Sequence, residues 1–228
     1  LKAGKQVFVE KPLCLTEAEL AEIDAAMAET SGSLMVGFNR RFAPAAVDMK
    51  KWLDAAPGAK VMSYQVCAGV LAADHWYADP AQGGRIIGEA CHMLDFACFM
   101  LGRPVRVSAQ KTGAASVSAQ VEFADGSTFQ LISSAEGDSA FPKESIRVFA
   151  NGLVAECENF MRLTVWKSRR AKVSKHASKG HAEEMAAWLA FLKDGKPHPL
   201  PDAQARQSMR LTFAVIRAIR ENRTIDLT

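Results

Sequence analysis

The first 40 residues combine two strand-like patterns with one helical pattern. Residues 6–10 and 33–38 are short apolar runs, which is typical of buried parallel strands. Between them, Thr16 and Glu19 have the spacing of a helix capping box, and apolar residues then recur on one face to about residue 29. The pattern predicts a β-α-β unit. Such a unit cannot bury both faces of its own sheet, so it needs further strands beside it.

Residues 1–5 have the pattern of a helix C-terminus, with Gly4 as its stop signal. The chain begins with leucine in this pattern, and we therefore expect a further segment upstream of Leu1.

Beyond residue 40 the strand patterns alternate between apolar and polar positions, which is typical of an antiparallel sheet with one covered face. Asp125-Gly126 and Asn151-Gly152 are two-residue hairpin signals. The pattern predicts helices over 43–55, 86–101, 181–194 and 203–222, and strands over 59–68, 105–111, 116–123, 127–134, 144–150, 153–158 and 160–167. The predicted fold class is α+β: an open, predominantly antiparallel sheet covered on one face by helices and preceded by the β-α-β unit. The uncovered face is a usual place for a second subunit, so we expect at least a dimer formed through the sheet.

Composition narrows the function classes. A net charge of +3 is too small to indicate nucleic acid, and the aromatic-poor basic run at 167–179 predicts a solvated strand and loop. The five cysteines are scattered without a C-x-x-C pair, so we expect free thiols in a cytoplasmic protein and no metal site, even at Cys91-His92. No apolar run is long enough for a membrane span, and no signal peptide opens the chain.

The first candidate for chemistry is Lys11, in the segment Glu10-Lys11-Pro12 after the first predicted strand. Ligands of open parallel sheets bind at the carboxyl ends of the strands. A lysine in a partly dry site can donate to a substrate oxygen and stabilise a developing alkoxide. The alternative is a surface lysine in a turn, where proline is common.

The second candidate is His92, on a predicted helix that is apolar on nearly every side and therefore buried. An acid lies three residues away in each direction, at Glu89 and Asp95, so the histidine could be an oriented base. The alternative is a core histidine bonded to a backbone carbonyl. Gly83-Gly84 before this helix is a weak signal for an anion site.

Together these segments resemble the glucose-fructose oxidoreductase, inositol dehydrogenase and rhizopine-catabolism (Gfo/Idh/MocA) family over essentially the whole chain. The resemblance lies in three stretches: Gly4 to Leu13 (GKQVFVEKPL), Gly37 to Phe42 (GFNRRF) and Gly83 to Asp95 (GGRIIGEACHMLD). The form of the third stretch is also similar to a subgroup in which this module follows a zinc-alcohol-dehydrogenase-like domain.

The resemblance implies that residues 1–40 are the C-terminal remnant of a Rossmann dinucleotide-binding domain and 41–228 an α+β substrate-binding and oligomerisation domain. It implies hydride transfer between NAD or NADP and a hydroxyl-bearing carbon of a sugar, cyclitol or sugar derivative. Lys11 would hold substrate and nicotinamide, and His92 would be the general acid/base. The family pattern also gives the remaining roles: Glu10, Lys11, Pro12 and Arg40 at the cofactor, and Asn39, His75, Trp76 and Arg85 at the substrate. The Lys11-Pro12 bond is expected to be cis, as in relatives.

The chain departs from the family pattern at two places. The family's catalytic aspartate falls on Gly88, so either the adjacent Glu89 substitutes as a catalytic group, or Lys11 and His92 suffice, or the chemistry differs. A decayed binding or oligomerisation module that uses the open sheet face is the alternative function. The sequence also lacks a G-x-G-x-x-G fingerprint, so we expect the main dinucleotide-binding segment to be absent and this chain alone to bind a dinucleotide weakly.

Overall fold

The computed structural model describes residues 1–70, 74, 75, 77, 79–113 and 115–227. The predicted β-α-β unit is present: strands β1 (Val7–Val9) and β2 (Leu34–Val36) pair in parallel, and helix α1 (Glu17–Ala28) connects them. Thr16 caps α1 through both hydrogen bonds of the predicted capping box. Residues 1–5, predicted as a helix end, form a turn closed by a 2.7 Å bond from the Gly4 N–H to the Leu1 carbonyl, and Gly4 has the positive φ typical of a helix stop.

The second part of the chain is built on one large sheet. Its helices are α2 (Pro44–Asp54), α3 (Cys91–Leu101), α4 (His181–Asp194) and α5 (Asp202–Glu221). Its strands are β3 (Val61–Cys67), β4 (Pro104–Thr112), β5 (Ser116–Phe123), β6 (Thr128–Ser134), β7 (Glu144–Ala150), β8 (Leu153–Glu158), β9 (Arg162–Lys167), β10 (Arg170–Lys175) and β11 (Ile225–Asp226). Their spatial order is β10-β9-β8-β7-β3-β6-β5-β4-β11.

Antiparallel hairpins build most of this sheet, as predicted. Asn151 and Gly152 both have positive φ, as the tight turn between β7 and β8 requires, because the right-handed twist of the strands matches only such turns. The exception to antiparallel order is β3, which enters between β6 and β7 and runs parallel to β6.

Three local predictions need correction. Strand β9 begins at Arg162 and not at residue 160, because Asn159 and Phe160 form a turn with positive φ. The short strand β11 was not predicted, since two residues give no periodicity. Helix α3 is preceded by a single π-helical turn (Ile86–Ala90), which a hydrophobic pattern does not distinguish from α-helix.

Helices cover one face of the large sheet and leave the other open, as predicted. Helix α5 packs on β4, α3 on β6, and α2 on β8 and β9. The open face exposes Val61, Phe149 and Trp166, although their strand neighbours Met62, Val148 and Val165 are buried. Alternation of side chains along β3, β6, β7 and β8 produces most of this division, whereas β9 buries Leu163, Thr164 and Val165 in succession.

A second hydrophobic cluster joins the β-α-β unit to the last two helices. It contains Leu34 and Val36 of β2, Trp188 of α4, and Met209 of α5. Ile87 and Cys91 extend this cluster to the start of α3. The carboxyl end of β1 therefore lies close to the N-terminal end of the buried helix α3, and both predicted catalytic candidates are found there.

No helix among the described residues is long and apolar enough to cross a membrane.

Candidate active site

Lys11 connects the end of β1 to the turn that precedes α3. Its ammonium nitrogen Nζ donates to the Gly88 carbonyl oxygen at 2.7 Å and to the Tyr77 hydroxyl at 3.1 Å. The Lys11-Pro12 peptide bond is cis. The structure thus places Lys11 at the carboxyl end of a parallel strand, partly buried and oriented inward, and not as a solvated surface lysine.

A close approach of the two parallel strands shapes the start of this site. The Gly37 N–H donates to the Val9 carbonyl at 2.8 Å, directly after β2. A Cβ atom at Gly37 would lie 2.9 Å from Oε2 of Glu10, so a larger residue would displace the Glu10 side chain. Glycine at this position allows Glu10 to lie across the end of β2.

The π-helical turn presents Gly88 to Lys11. The Gly88 carbonyl accepts from Lys11 and, at 2.8 Å, from the Tyr77 hydroxyl. A Cβ atom at Gly88 would lie 2.1 Å from Cε1 of Tyr77. The Tyr77 ring therefore occupies the space into which a side chain at Gly88 would project.

His92 is buried beside this turn, with 5% of its surface exposed. Its Nδ1 atom has no hydrogen-bond partner within the described part of the chain, and its ring packs edge-on against Phe38, with the two ring centroids 6.0 Å apart. Burial lowers the pKa of His92 well below its usual value, and the positive charges of Arg40 and Lys11 lower it further. His92 is therefore a neutral imidazole at neutral pH, which can accept a proton.

Neither predicted acidic neighbour orients His92. The Glu89 carboxylate accepts from Nε of Arg85 at 3.0 Å and pairs with Lys143 at 3.3 Å. Asp95 is held by Arg41. The spacing along the helix was suitable, but Asp95 pairs with Arg41 of another element, and Glu89 pairs with Arg85 four residues earlier and with Lys143.

Arg40 and Asn39 connect the β-α-β unit to the large sheet. Arg40 donates to both carboxylate oxygens of Glu144, at 3.2 and 3.3 Å, and to Oδ1 of Asn39 at 3.0 Å. Asn39 in turn donates to the Lys179 carbonyl at 2.7 Å. Burial alone would raise the pKa of Glu144, but Arg40, Lys179 and the Tyr64 hydroxyl lower it to about 2. The polar groups of Arg40 and Asn39 are thus bonded to protein atoms.

The remaining predicted substrate residues are Arg85, His75 and Trp76, and they do not form one cluster among the described residues. Arg85 donates to the carbonyls of Ala68 and Gly69, at 3.1 and 3.0 Å, in addition to its bond with Glu89. His75 is exposed and accepts from the Tyr77 N–H at 3.1 Å. Trp76 lies outside the described residues.

Sequence reasoning missed two groups at this site. The first is Tyr77, because nothing local in the sequence indicates that its ring reaches Gly88. Glu184 of α4 is 3% exposed, and its Oε1 has no partner among the residues described. Burial and the nearby Glu10 raise the pKa of Glu184 to about 8, so it is uncharged at neutral pH. Glutamate in the first turn of a helix is common, so no sequence pattern indicated that Glu184 is buried at this site.

The described residues contain no group of three or more histidine, cysteine or acidic side chains that could hold a metal ion. Burial raises the pKa of the Cys91 thiol to about 12, which keeps it protonated beside His92.

The fold and the site together define a class of protein: an α+β domain with one open sheet face, joined to a parallel β-α-β unit, with a lysine and a histidine at the junction. Residues 59–183, more than half of the chain, match the family model of the GFO/IDH/MocA C-terminal domain. The chain belongs to the GFO/IDH/MocA family.

Relatives and solved structures agree with this assignment. An inositol 2-dehydrogenase of Rhizobium meliloti is 31% identical over 183 residues, 78% of this chain and 49% of that protein. A scyllo-inositol 2-dehydrogenase (NAD(+)) of Bacillus subtilis is 35% identical over 102 residues, 45% of this chain and 30% of that protein. The chain thus matches about half or less of each relative's length.

The crystal structure of an aldose-aldose oxidoreductase from Caulobacter crescentus, complexed with glycerol, superposes with a TM-score of 0.85 at 20% identity. The match covers 99% of this chain and 73% of that one. At this identity the likeness shows the shared fold. None of these three matches bears on the resemblance to the subgroup with a zinc-alcohol-dehydrogenase-like domain.

Proposed function

We propose that this chain is the substrate-binding part of an NAD(P)-dependent oxidoreductase. The reaction transfers a hydride between the nicotinamide and a hydroxyl-bearing carbon of a sugar, cyclitol or sugar derivative. One observation carries the proposal: a lysine ammonium at the carboxyl end of a parallel strand and a buried, neutral histidine with an unpaired nitrogen lie at the same junction. Relatives named as inositol dehydrogenases support the substrate class.

In this proposal Lys11 binds the substrate oxygen. An ammonium group has three N–H donors, and two of them are taken by Gly88 and Tyr77. The third is available to the hydroxyl or carbonyl oxygen of a substrate, where it stabilises the negative charge that develops during hydride transfer. His92 is the general acid/base candidate of the buried helix, because its lowered pKa keeps it neutral at neutral pH and able to accept a proton.

The residues at the end of β1 fit the nicotinamide end of NAD or NADP. That group accepts or gives the hydride when it is bound. The fit rests on the position of the Lys11 ammonium at the carboxyl end of β1 and on the Nδ1 of His92, which has no partner among the described residues. We assign Glu10, Lys11, Pro12 and Arg40 to the cofactor side of the site. Glu10 and Pro12 flank Lys11 in the chain, and Arg40 contributes positive charge from its bonded position against Glu144.

The substrate side is assigned to Asn39, His75, Trp76 and Arg85. The polar atoms of Asn39 and Arg85 are bonded within the protein, to the carbonyls of Lys179 and Gly69. We therefore assign these two residues the role of positioning those backbone segments at the substrate side. We assign Glu89 a supporting role at the catalytic turn, where it fixes Arg85 and Lys143.

The proposal is tested by an assay of the native, full-length protein. Reduction of NAD⁺ or NADP⁺ is followed at 340 nm with myo-inositol, scyllo-inositol, glucose and xylose. We expect turnover with at least one polyol or aldose and a clear preference for one dinucleotide. Absence of turnover with all of them, in either direction, would contradict the proposal and favour the alternative of a decayed binding module.

We further propose that the open face of the large sheet binds a second copy of this chain. Val61, Phe149, Val154 and Trp166 are successive cross-strand partners and form one apolar row across β3, β7, β8 and β9. Val61 is 59% and Phe149 49% exposed. Exposed apolar rows of this kind, bordered by polar residues, are typical of subunit interfaces.

Charge placed in this row should dissociate the oligomer. We expect Phe149→Glu combined with Trp166→Glu to convert a homodimer or homotetramer to a smaller species, because two carboxylates would be buried against apolar surface. Light scattering after size-exclusion chromatography measures the mass. Val47→Glu, on the exposed side of α2, is the matched control and should leave the mass unchanged. An unchanged mass in the double variant would remove the sheet face from the interface.

The odd number of scattered cysteines favours a reducing compartment, and we place the protein in the cytoplasm.

A further inference from the structure

We propose that Tyr77 is a catalytic acid/base of this site, exchanging a proton with the substrate oxygen that Lys11 holds. The inference rests on the proposed oxidoreductase function and deepens it, because it assigns the proton transfer to a residue outside the buried helix. The observation that supports it is that the Tyr77 hydroxyl is hydrogen-bonded both to Lys11 and to the Gly88 carbonyl.

The hydroxyl oxygen of Tyr77 lies between two partners. It accepts from Nζ of Lys11 at 3.1 Å and donates to the Gly88 carbonyl at 2.8 Å. Lys11 donates to that same carbonyl at 2.7 Å, so the three groups form a closed triangle. A substrate oxygen that binds to the remaining donor of Lys11 is therefore adjacent to the phenol as well. Within the described part of the chain, Tyr77 is the only ionisable side chain hydrogen-bonded to Lys11.

Glycine at position 88 makes this arrangement possible. A Cβ atom there would lie 2.1 and 2.6 Å from Cε1 and Cδ1 of Tyr77, distances that real contacts do not reach. No residue with a side chain could stand at position 88 without displacing the phenol ring. The proton-carrying group at this position thus comes from the loop before the helix, and the helix contributes only its carbonyl.

Neither of the other acid/base candidates, Glu89 and His92, supplies a proton to a carbonyl oxygen bound at Lys11. Glu89 is engaged by Arg85 and Lys143, away from Lys11. His92 is neutral at neutral pH because burial lowers its pKa, so it has no added proton to give to a carbonyl. The Tyr77 hydroxyl does carry a proton, which it donates to Gly88 in this structure.

The proposed step conserves atoms and charge. In the reduction direction, a bound nicotinamide would supply the hydride that adds to the carbonyl carbon as its C=O π bond opens. Tyr77 gives its hydroxyl proton to the carbonyl oxygen, which becomes the product hydroxyl, and water then restores the proton to the phenolate. The Lys11 ammonium stabilises the negative charge on both oxygens during the transfer. Oxidation of the alcohol runs through the same steps in reverse.

The first test compares three variants of the native, full-length protein, with the polyol or aldose that the wild type turns over. Tyr77→Phe keeps the ring over Gly88 and removes the hydroxyl. We expect kcat to fall about 10²-fold, the usual scale of general acid–base catalysis, with KM changed only a few-fold. A loss confined to kcat indicates an interaction made only in the transition state, whereas loss of a merely structural bond would not separate kcat from KM in this way. Tyr64→Phe is the matched control, because its hydroxyl bonds Glu144 away from Lys11, and it should retain wild-type turnover.

His92→Asn separates the two acid/base candidates. If Tyr77→Phe keeps turnover within a few-fold of wild type while His92→Asn loses 10²-fold or more, the inference is overturned and the oxidoreductase function stands. If the wild type itself is inactive with every substrate and both dinucleotides, the proposed function fails and this inference fails with it.

A second readout needs no turnover. The protein is labelled with ¹³C at the tyrosine Cζ atoms, and the Tyr77 signal is assigned as the one lost in Tyr77→Phe. We expect that signal to shift when myo-inositol or glucose is added at saturating concentration, while the Tyr64 signal does not. A Tyr77 signal that does not respond to any of the sugars tested would contradict contact between its hydroxyl and the substrate.

Discussion

Replacing Lys11 by methionine in the full-length protein should lower kcat about 10³-fold and leave KM for the dinucleotide within a few-fold. Methionine preserves the apolar stem of the side chain, so the change removes mainly the ammonium. Loss of a single preorganised donor to a developing oxyanion typically costs 10²–10³ in rate, and Lys11 also holds Tyr77 through a 3.1 Å bond. Steady-state kinetics in both directions measure the effect.

A surface lysine provides the comparison for this variant. Lys51 is exposed and pairs only with Asp48 on its own helix at 3.1 Å, so Lys51→Met should leave kcat unchanged. If Lys11→Met also retained wild-type kcat, Lys11 would have no part in the chemistry. A large rise in KM for the sugar with kcat unchanged would mean that Lys11 contributes ground-state binding and no stabilisation specific to the transition state.

Replacing Asp95 by alanine should destabilise the protein by ~3–5 kcal/mol. Asp95 is fully buried, and Arg41 is 5% exposed. Two bonds of 2.6 Å join the guanidinium to the carboxylate, and the Ser208 hydroxyl adds a third at 2.8 Å. Removing the carboxylate leaves a buried guanidinium without its counter-charge, which is the costly step. Differential scanning calorimetry should show the unfolding transition lowered by roughly 10 °C.

Two further variants test this explanation. Asp54→Ala removes an exposed partner of Lys50 and should cost ~1 kcal/mol or less, because water screens that pair. The double variant Asp95→Leu with Arg41→Met should recover much of the stability, since no buried charge remains unpaired. If Asp95→Ala cost no more than Asp54→Ala, the buried pair would not be an important source of stability.

Several features of the fold could be predicted from local patterns in the sequence. The capping box at Thr16, the turn at Asn151-Gly152 and the alternation in β3, β6, β7 and β8 involve residues close in sequence, and all three are confirmed. The apolar pattern of residues 86–101 also predicted a buried helix, and His92 is buried as expected. Local periodicity depends only on backbone geometry, so these features do not need knowledge of distant partners.

The partners of the charged groups could not be read in this way. Glu89 and Asp95 have the spacing to orient His92, yet Asp95 pairs with Arg41 of another element, and Glu89 pairs with Arg85 four residues earlier and with Lys143 from outside the helix. Arg40 meets Glu144 across a sequence separation of 104 residues. Which long side chain reaches which carboxylate depends on how the elements pack, and no pattern along one element contains that information.

By itself, the sequence determined the class of fold, its turns, and the position of Lys11 at the end of a parallel strand, because each follows from local patterns of apolar residues, glycine and proline. The tertiary structure alone decided what stands beside Lys11. The Tyr77 ring fills the space above Gly88, and its hydroxyl joins Lys11, across 66 residues of chain. The sequence shows that Gly88 has no side chain, but it does not show which group fills the space beside it. Only the packing of the loop against the helix identifies that group as Tyr77.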